Sequence, residues 1–381
     1  MIEQICDANN LYDSFNKCKH GTDWKESVQR ADLNLLKNLN HKQKMLVAGN
    51  YNQKPFYEFN IMERGKERHI RSLHITDRMV QRAVCDFILM PELSKYLIYD
   101  NGASIKDKGI GFTRDRLHQH LWNYYCNYGP EGYILLIDFR KFFDNIDHQL
   151  LINSLAEKIK DPETMQLIEY LVSTFAIDVS YLSMEQYEEF KNEIFDSMTY
   201  EPYHERTGEK LLYKSLGMGS QISQIAGIFY PTPIDTYCKV VQGCKYYGRY
   251  MDDTYVIHHD KEYLAWLLEQ IKAVCWDLRI YINLHKTQIQ KLDHFTYLKI
   301  KYSMTETGKV VKRVARDSIT RERNKLKAFR YLVDSKELTI DDVINQYKSW
   351  RGAIMSFDTY NTIQNMDSVF YELFGIDARY I

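Results

Sequence analysis

The apolar positions of this 381-residue chain follow two periods. Met79, Val80, Ala83, Val84, Phe87 and Ile88 recur at helical spacing and predict a helix over Asp77–Leu93. Leu264, Leu267, Leu268, Ile271, Val274 and Leu278 line one face of an amphipathic helix over 261–278. Val343, Ile344, Tyr347 and Trp350 form a later apolar stripe, in a helical region. The shorter runs read differently. Tyr133-Ile-Leu-Leu-Ile137, after a turn at Pro130–Gly132, suits a buried strand, and Lys245–Arg249 and Thr254–Ile257 are two β-prone runs flanking Tyr250-Met-Asp-Asp253. Gly65-Lys66 resembles a hairpin turn, and a Gly-rich stretch from Gly102 to Gly111 precedes a helix over Thr113–Tyr125. Residues 1–60 read as polar helices, and 160–212, charged and Tyr-rich, as a surface insertion. Strands and helices without regular alternation predict an α+β fold.

With 45% hydrophobic and 27% charged residues, the chain can build one large domain or two to three subdomains. No run comes near about 18 uninterrupted apolar residues, and the opening MIEQICDANNLYD carries acid where a secretory signal carries base. The expectation is a soluble cytoplasmic protein without a membrane partner. Seven scattered cysteines with no C-x-x-C pair argue against a disulfide framework or a zinc site. A net charge of −1 excludes a surface that is basic throughout. The charge is uneven, however: Lys309–Arg330 holds nine Lys or Arg against two acids, Asp317 and Glu322. Arg64, Lys66, Arg68 and Arg71 form a second basic cluster. Such runs are commonly solvated faces, but they also suit a basic groove balanced by acid elsewhere.

Asp138 directly follows the Tyr133–Ile137 run, where a buried strand opens to solvent. Asp252 and Asp253 fall at the tip of the hairpin expected between the two β-prone runs. Each observation alone fits an ordinary cap or turn. Together they place three carboxylates that repel one another and call for a cation or a proton. Hard oxygen ligands select Mg²⁺ or Mn²⁺, and two such ions serve nucleotidyl transfer.

The ordered blocks then resemble a known family, the prokaryotic reverse transcriptases. Asp138-Phe-Arg-Lys-Phe-Phe143-Asp-Asn-Ile-Asp-His148 is similar to their A motif, and Tyr250–Asp253 to their C motif. Gly219-Ser-Gln-Ile-Ser-Gln224, with Tyr230 and Asp235, resembles the B motif. Asn283-Leu-His-Lys286-Thr287 resembles the D motif, and Phe295-Thr-Tyr-Leu298 the primer-gripping E motif. Gly65-Lys66-Glu-Arg68 and Asp77-Arg78-Met-Val-Gln81 resemble the fingers signature, so the blocks cover roughly residues 60–302 in the family's order.

The resemblance implies a right-hand polymerase fold: N-terminal helices and fingers over 1–130, a palm of antiparallel sheet and helices over 131–302, and a helical thumb over 303–381. It implies an RNA-directed DNA polymerase in which Asp138, Asp252 and Asp253 hold two Mg²⁺ ions, or Mn²⁺. Lys66 and Arg68 would contact the incoming triphosphate. Lys286 is open between a general acid toward pyrophosphate and an ion-pair partner of an acid. Phe143 would exclude a 2′-hydroxyl and select deoxynucleotides, while Met218, Gly219, Gln224 and Tyr250 would line the nascent pair. The basic stretch 309–330 would follow the duplex backbone.

Leu216-Gly-Met-Gly219 departs from the Leu-Pro-Gln-Gly of many relatives, and Met218 offers packing where Gln offers a hydrogen bond. Looser base selection, or synthesis directed by something other than an ordinary template, is the expectation. Ser223-Gln224 resembles the defence-associated abortive-infection and diversity-generating retroelement lineages rather than retrons or group II introns, and no HNH or maturase pattern follows. A stand-alone bacterial enzyme of antiphage defence is the reading this favours. Error-prone retroelement copying, non-templated or protein-primed synthesis, and a catalytically silent nucleic-acid scaffold are the alternatives. The expected partners are a dedicated non-coding RNA template, the DNA product and dNTPs, with room for an accessory protein or a second copy.

Overall fold

The structure is a computed structural model that describes residues 1–63, 65–196 and 206–380, without the side chain of Lys66. Its strands are β1 (Tyr57–Glu63), β2 (Lys66–Ser72), β3 (Tyr133–Asp138), β4 (Ile177–Asp178), β5 (Leu211–Leu212), β6 (Tyr247–Tyr250), β7 (Asp253–His258), β8 (Gln288–Lys291), β9 (Phe295–Tyr297), β10 (Ile300–Met304) and β11 (Val310–Val314). The apolar run at 133–137 becomes a central strand because both its faces are covered. In the four-stranded antiparallel sheet of order β6-β7-β3-β8, Leu135 and Ile137 join Val256, Leu264, Leu267 and Ile271 in the main core. Ile134 faces the other way, with Leu117, Leu121, Tyr124, Tyr255 and Ile257. The period-2 alternation of a strand thus feeds two cores at once.

The helix over Lys261–Asp277 covers one face, its start capped by the Asp260 carboxylate, which accepts from the Glu262 and Tyr263 amides. The helix over Ile110–Tyr128 covers the other. Three-stranded β9-β10-β11 extends this second core through Phe295, Tyr297 and Tyr302. The helix expected over Asp77–Leu93 begins at Ile75, widens into a π-helical turn at Cys85–Leu89 and ends at Leu93. It packs Met79, Val80, Ala83 and Val84 against Ile5, Leu11 and Phe15 of the N-terminal helices, so residues 1–60 share the main core. Buried Asp77 ties them further, paired with Lys42 and accepting from the Tyr51 hydroxyl at 2.8 Å.

The stretch 160–212 divides physically. Pro162–Ser173 is a helix whose Leu167, Ile168, Leu171 and Val172 enter the main core. Ile177, Val179, Leu182, Phe195 and Leu212 form a small cluster of their own beside the β4-β5 pair. Last come three helices, Arg316–Asp334, Ile340–Ile354 and Tyr360–Phe374, around Leu326, Val343, Tyr347, Met366 and Phe370. Among the described residues, no helix is long and apolar enough to cross a membrane.

Candidate active site

The antiparallel register sets Asp138, the last residue of β3, directly opposite Asp253, the first of β7. Tyr250 pairs with Asp253 from the other side, leaving Met251-Asp252 as a two-residue turn. Met251 takes φ +55°, in the left-handed region that two-residue hairpin turns require. A buried side chain holds this turn. Arg249 donates from Nη1 to the Met251 carbonyl at 3.1 Å and from Nη2 to the Ile228 carbonyl at 2.7 Å, while it pairs with Asp235.

The loop entering β8 wraps the end of β3. The Lys286 ammonium donates to Asp138 Oδ1 and Oδ2 at 2.6 and 3.0 Å, and Asn283 Nδ2 donates to Oδ1 at 3.1 Å. The Asn283 amide also donates to the Asp138 carbonyl at 2.8 Å. Beneath Asp253, the buried Tyr297 hydroxyl donates to its carbonyl at 3.1 Å. Burial, then the negative charges of Asp252 and Asp138, push the Asp253 carboxyl up to about 7, against the pull of Lys286. Asp252 is raised as well, by burial first and by Asp138, with Lys286 and Arg68 opposing. Burial is the larger cause, and repulsion between like charges adds to it.

The β1-β2 hairpin docks on the loop preceding the Gln221–Phe229 helix. The Arg71 amide donates to the Met218 carbonyl at 3.2 Å, and Ile70 bridges Met218 in parallel fashion. Arg68 Nη1 lies 3.4 Å from the Met218 sulfur. Gly219 takes φ +114°, a backbone conformation that favours glycine, and a Cβ there would make ordinary contact with the Arg71 carbonyl oxygen at 3.5 Å. Arg68 also pairs with Glu63 at 2.7 Å. Phe143 is half-buried and lies edge-on to Phe142 with ring centroids 5.3 Å apart; a Cβ on Gly227 would approach its ring to 2.8 Å. Gln224 is exposed on its helix, its Oε1 3.4 Å from the Ser104 hydroxyl. Tyr250 is half-buried at the end of β6. The Lys66 side chain lies outside the described residues.

The fold therefore gathers Asp138, Asp252, Asp253 and Lys286 at one end of the sheet, and Arg68, Met218 and Gly219 in a second cluster. Among the described residues, no three His, Cys, Asp or Glu side chains converge as a ready metal cage. Both Asp138 oxygens are engaged by Lys286, and Oδ1 also by Asn283. The donor set itself, three hard carboxylates whose repulsion a proton or a cation relieves, fits a divalent ion. In the sequence Arg249 stands only as the end of a β-prone run, and Asn283, Tyr297 and Asp235 only as members of motif blocks. Arg249 carried a signal, since a charged residue in a strand otherwise buried needs a partner.

The reverse transcriptase (RNA-dependent DNA polymerase) family model matches residues 53–302. No curated protein matches the chain by sequence. Telomerase from Candida albicans, in complex with a fragment of telomeric RNA, superimposes with TM-score 0.52 at 11% identity, over 84% of this chain and 54% of that one. Apo telomerase from Candida tropicalis, truncated of its C-terminal domain, gives TM-score 0.47 at 12% identity, over 73% of this chain and 60% of that one. The chain spans about half the length of the Candida albicans protein. At this identity the likeness carries the fold: mixed helix and antiparallel sheet in a right-hand polymerase arrangement.

Proposed function

Because the chain belongs to the reverse transcriptase family, we propose that it extends a primer with deoxynucleotides under the direction of an RNA template, at Asp138, Asp252 and Asp253. The observation that carries this reading is the register of Asp138 against Asp253 with Asp252 in the adjoining turn. On it, residues 1–130 are N-terminal helices and fingers, 131–302 the palm with an insertion within 160–212, and 303–381 the thumb.

Divalent ions, Mg²⁺ or Mn²⁺, held by the three carboxylates would activate a primer 3′-hydroxyl and neutralise the leaving pyrophosphate. The chain's own residues do the positioning. Arg249 and Tyr297 fix the backbone on either side of Asp252 and Asp253. Lys286 holds Asp138 until nucleotide binds, and its ammonium then lies within reach of the pyrophosphate as donor or acid. Arg68, and Lys66 beside it, supply cationic donors to the triphosphate from the hairpin that docks on Met218. Phe143 limits the space at the sugar; Gly219, Gln224 and Tyr250 border the nascent pair.

The Ser223-Gln224 pair favours a prokaryotic enzyme of the non-intron, non-retron type, acting in antiphage defence with a dedicated RNA. Mutagenic copying in a diversity-generating retroelement uses the same residues, as does non-templated or protein-primed synthesis. Sequencing nucleic acids that co-purify with the wild type and with an Asp252→Ala/Asp253→Ala variant separates these. A discrete RNA in both, with complementary DNA only in the wild type, supports templated synthesis; low-complexity DNA without matching RNA supports the non-templated reading. No difference in DNA supports the scaffold or a missing activator.

A further inference from the structure

A cavity of about 570 Å³ opens between the end of β10–β11 and the helices Arg316–Asp334 and Ile340–Ile354, and none of the three carboxylates of the candidate active site lines it. Glu322 of the Arg316–Asp334 helix lines it while only 8% exposed, and its Oε1 has no hydrogen-bond partner among the described residues. A buried carboxylate accepts hydrogen bonds and donates none, and leaving one unmatched is costly. The remaining walls are of two kinds. Trp350 and Phe357 offer half-buried aromatic faces. Arg114, Arg321 and Lys325 offer cations, Arg114 lying 5.4 Å from the Phe357 ring centroid with its Nη2 on the Leu298 carbonyl at 2.7 Å.

Acceptor, aromatic surface and cations together describe a nucleotide with two adjacent N–H donors on its base edge. Of the common bases only guanine has them, at N1 and the 2-amino group; adenine and cytosine offer one amino group, and uracil one N–H between carbonyls. We propose that this cavity binds a guanine nucleotide: Glu322 accepts from N1–H and the 2-amino group, Trp350 and Phe357 flank the ring, and Arg114, Arg321 and Lys325 take the phosphate. The occupant is either a free guanosine phosphate or a guanosine of a bound strand, since both present the same edge and charge.

The test uses the full chain carrying Asp252→Ala/Asp253→Ala, in EDTA, so that binding at the candidate active site and polymerase activity do not enter. Titration calorimetry compares GMP with IMP, which lacks only the 2-amino group. It then compares a short oligouridine carrying one guanosine with the same strand carrying one inosine. The expected result is a guanine preference of at least about tenfold in one format, abolished by Glu322→Gln while the thermal melt shows a folded protein. Preference with GMP identifies a free nucleotide, and preference only in the oligonucleotide identifies a base of a strand. Equal affinity for guanine and inosine in both formats, no binding in either, or a preference that survives Glu322→Gln overturns the proposal. So does an equal fold-loss of GMP and IMP affinity in the variant, which marks a purely structural Glu322.

Discussion

Arg249 and Asp235 meet in a bidentate ion pair with neither side chain exposed: Nε to Oδ1 at 2.8 Å and Nη2 to Oδ2 at 2.6 Å. The Tyr247 hydroxyl donates to the same Oδ1 at 2.6 Å. Removing one partner strands a buried charge, so Asp235→Asn is expected to destabilise the fold by about 3–5 kcal/mol. Chemical denaturation measures this. A change below about 1 kcal/mol would mean that the pair contributes little and that the turn bearing Asp252 is held by other contacts.

Phe143 occupies the space against Gly227, and a Cβ on that glycine would already touch the ring. Phe143→Ala is expected to raise ribonucleotide incorporation relative to deoxynucleotide by about 10- to 100-fold, the range that loss of a steric contact of a few kcal/mol produces. Competition of dNTP against rNTP in single-turnover extension is the check. An unchanged ratio would return Phe143 to a packing role beside Phe142.

Met218 ties the β1-β2 hairpin to the loop before Gly219 through its carbonyl and its sulfur. Met218→Gln keeps the backbone bond and adds a side-chain donor and acceptor. Misincorporation is expected to fall several-fold in the variant, read from sequenced products, since one net hydrogen bond is worth about 1 kcal/mol. Identical error spectra would sink the link between Met218 and base selection.

His148, 2% exposed, lies with Nε2 2.6 Å from the Ser215 carbonyl, and burial holds it down to about 4 from 6.5. Between those values the unfolded chain takes up a proton that the folded chain refuses. Stability is therefore complete above pH 6.5 and falls as pH drops toward 4, by up to about 3 kcal/mol for this one group. Urea midpoints at pH 7 and pH 4.5 should differ more in the wild type than in His148→Gln. Equal differences would assign the acid sensitivity to other groups, His120 among them, which burial also holds down to about 4.

Local chemistry made much of this legible. The 133–137 run, the two β-prone runs around Tyr250–Asp253 and the 261–277 helix each declare their period within a single window, so their elements could be read directly. What the window could not contain stayed hidden. The Arg249–Asp235 pair and the docking of β2 on Met218 join residues 14 and 150 positions apart, whereas pairing with an acid is one of the two roles the sequence leaves open for Lys286, and the structure supplies Asp138 as that acid. The Pro162–Ser173 helix went unseen as core for a different reason: the charged, Tyr-rich stretch following it masked the spacing of Leu167, Ile168, Leu171 and Val172. Nor does periodicity reveal a buried carboxyl without a partner, as at Glu322, which reads as one acid in a basic run.

RNA-templated primer extension with labelled dNTPs and Mg²⁺ or Mn²⁺, comparing wild type with Asp253→Asn, tests the central claim most directly. The variant keeps the side chain's shape and removes the charge next to the turn. The account predicts template-complementary DNA from the wild type and a loss of at least about 100-fold in rate with the variant, the scale on which removing one key charge-stabilising group acts. Equal synthesis by both proteins would contradict the assignment of Asp253, and with it the site built around Asp138 and Asp252.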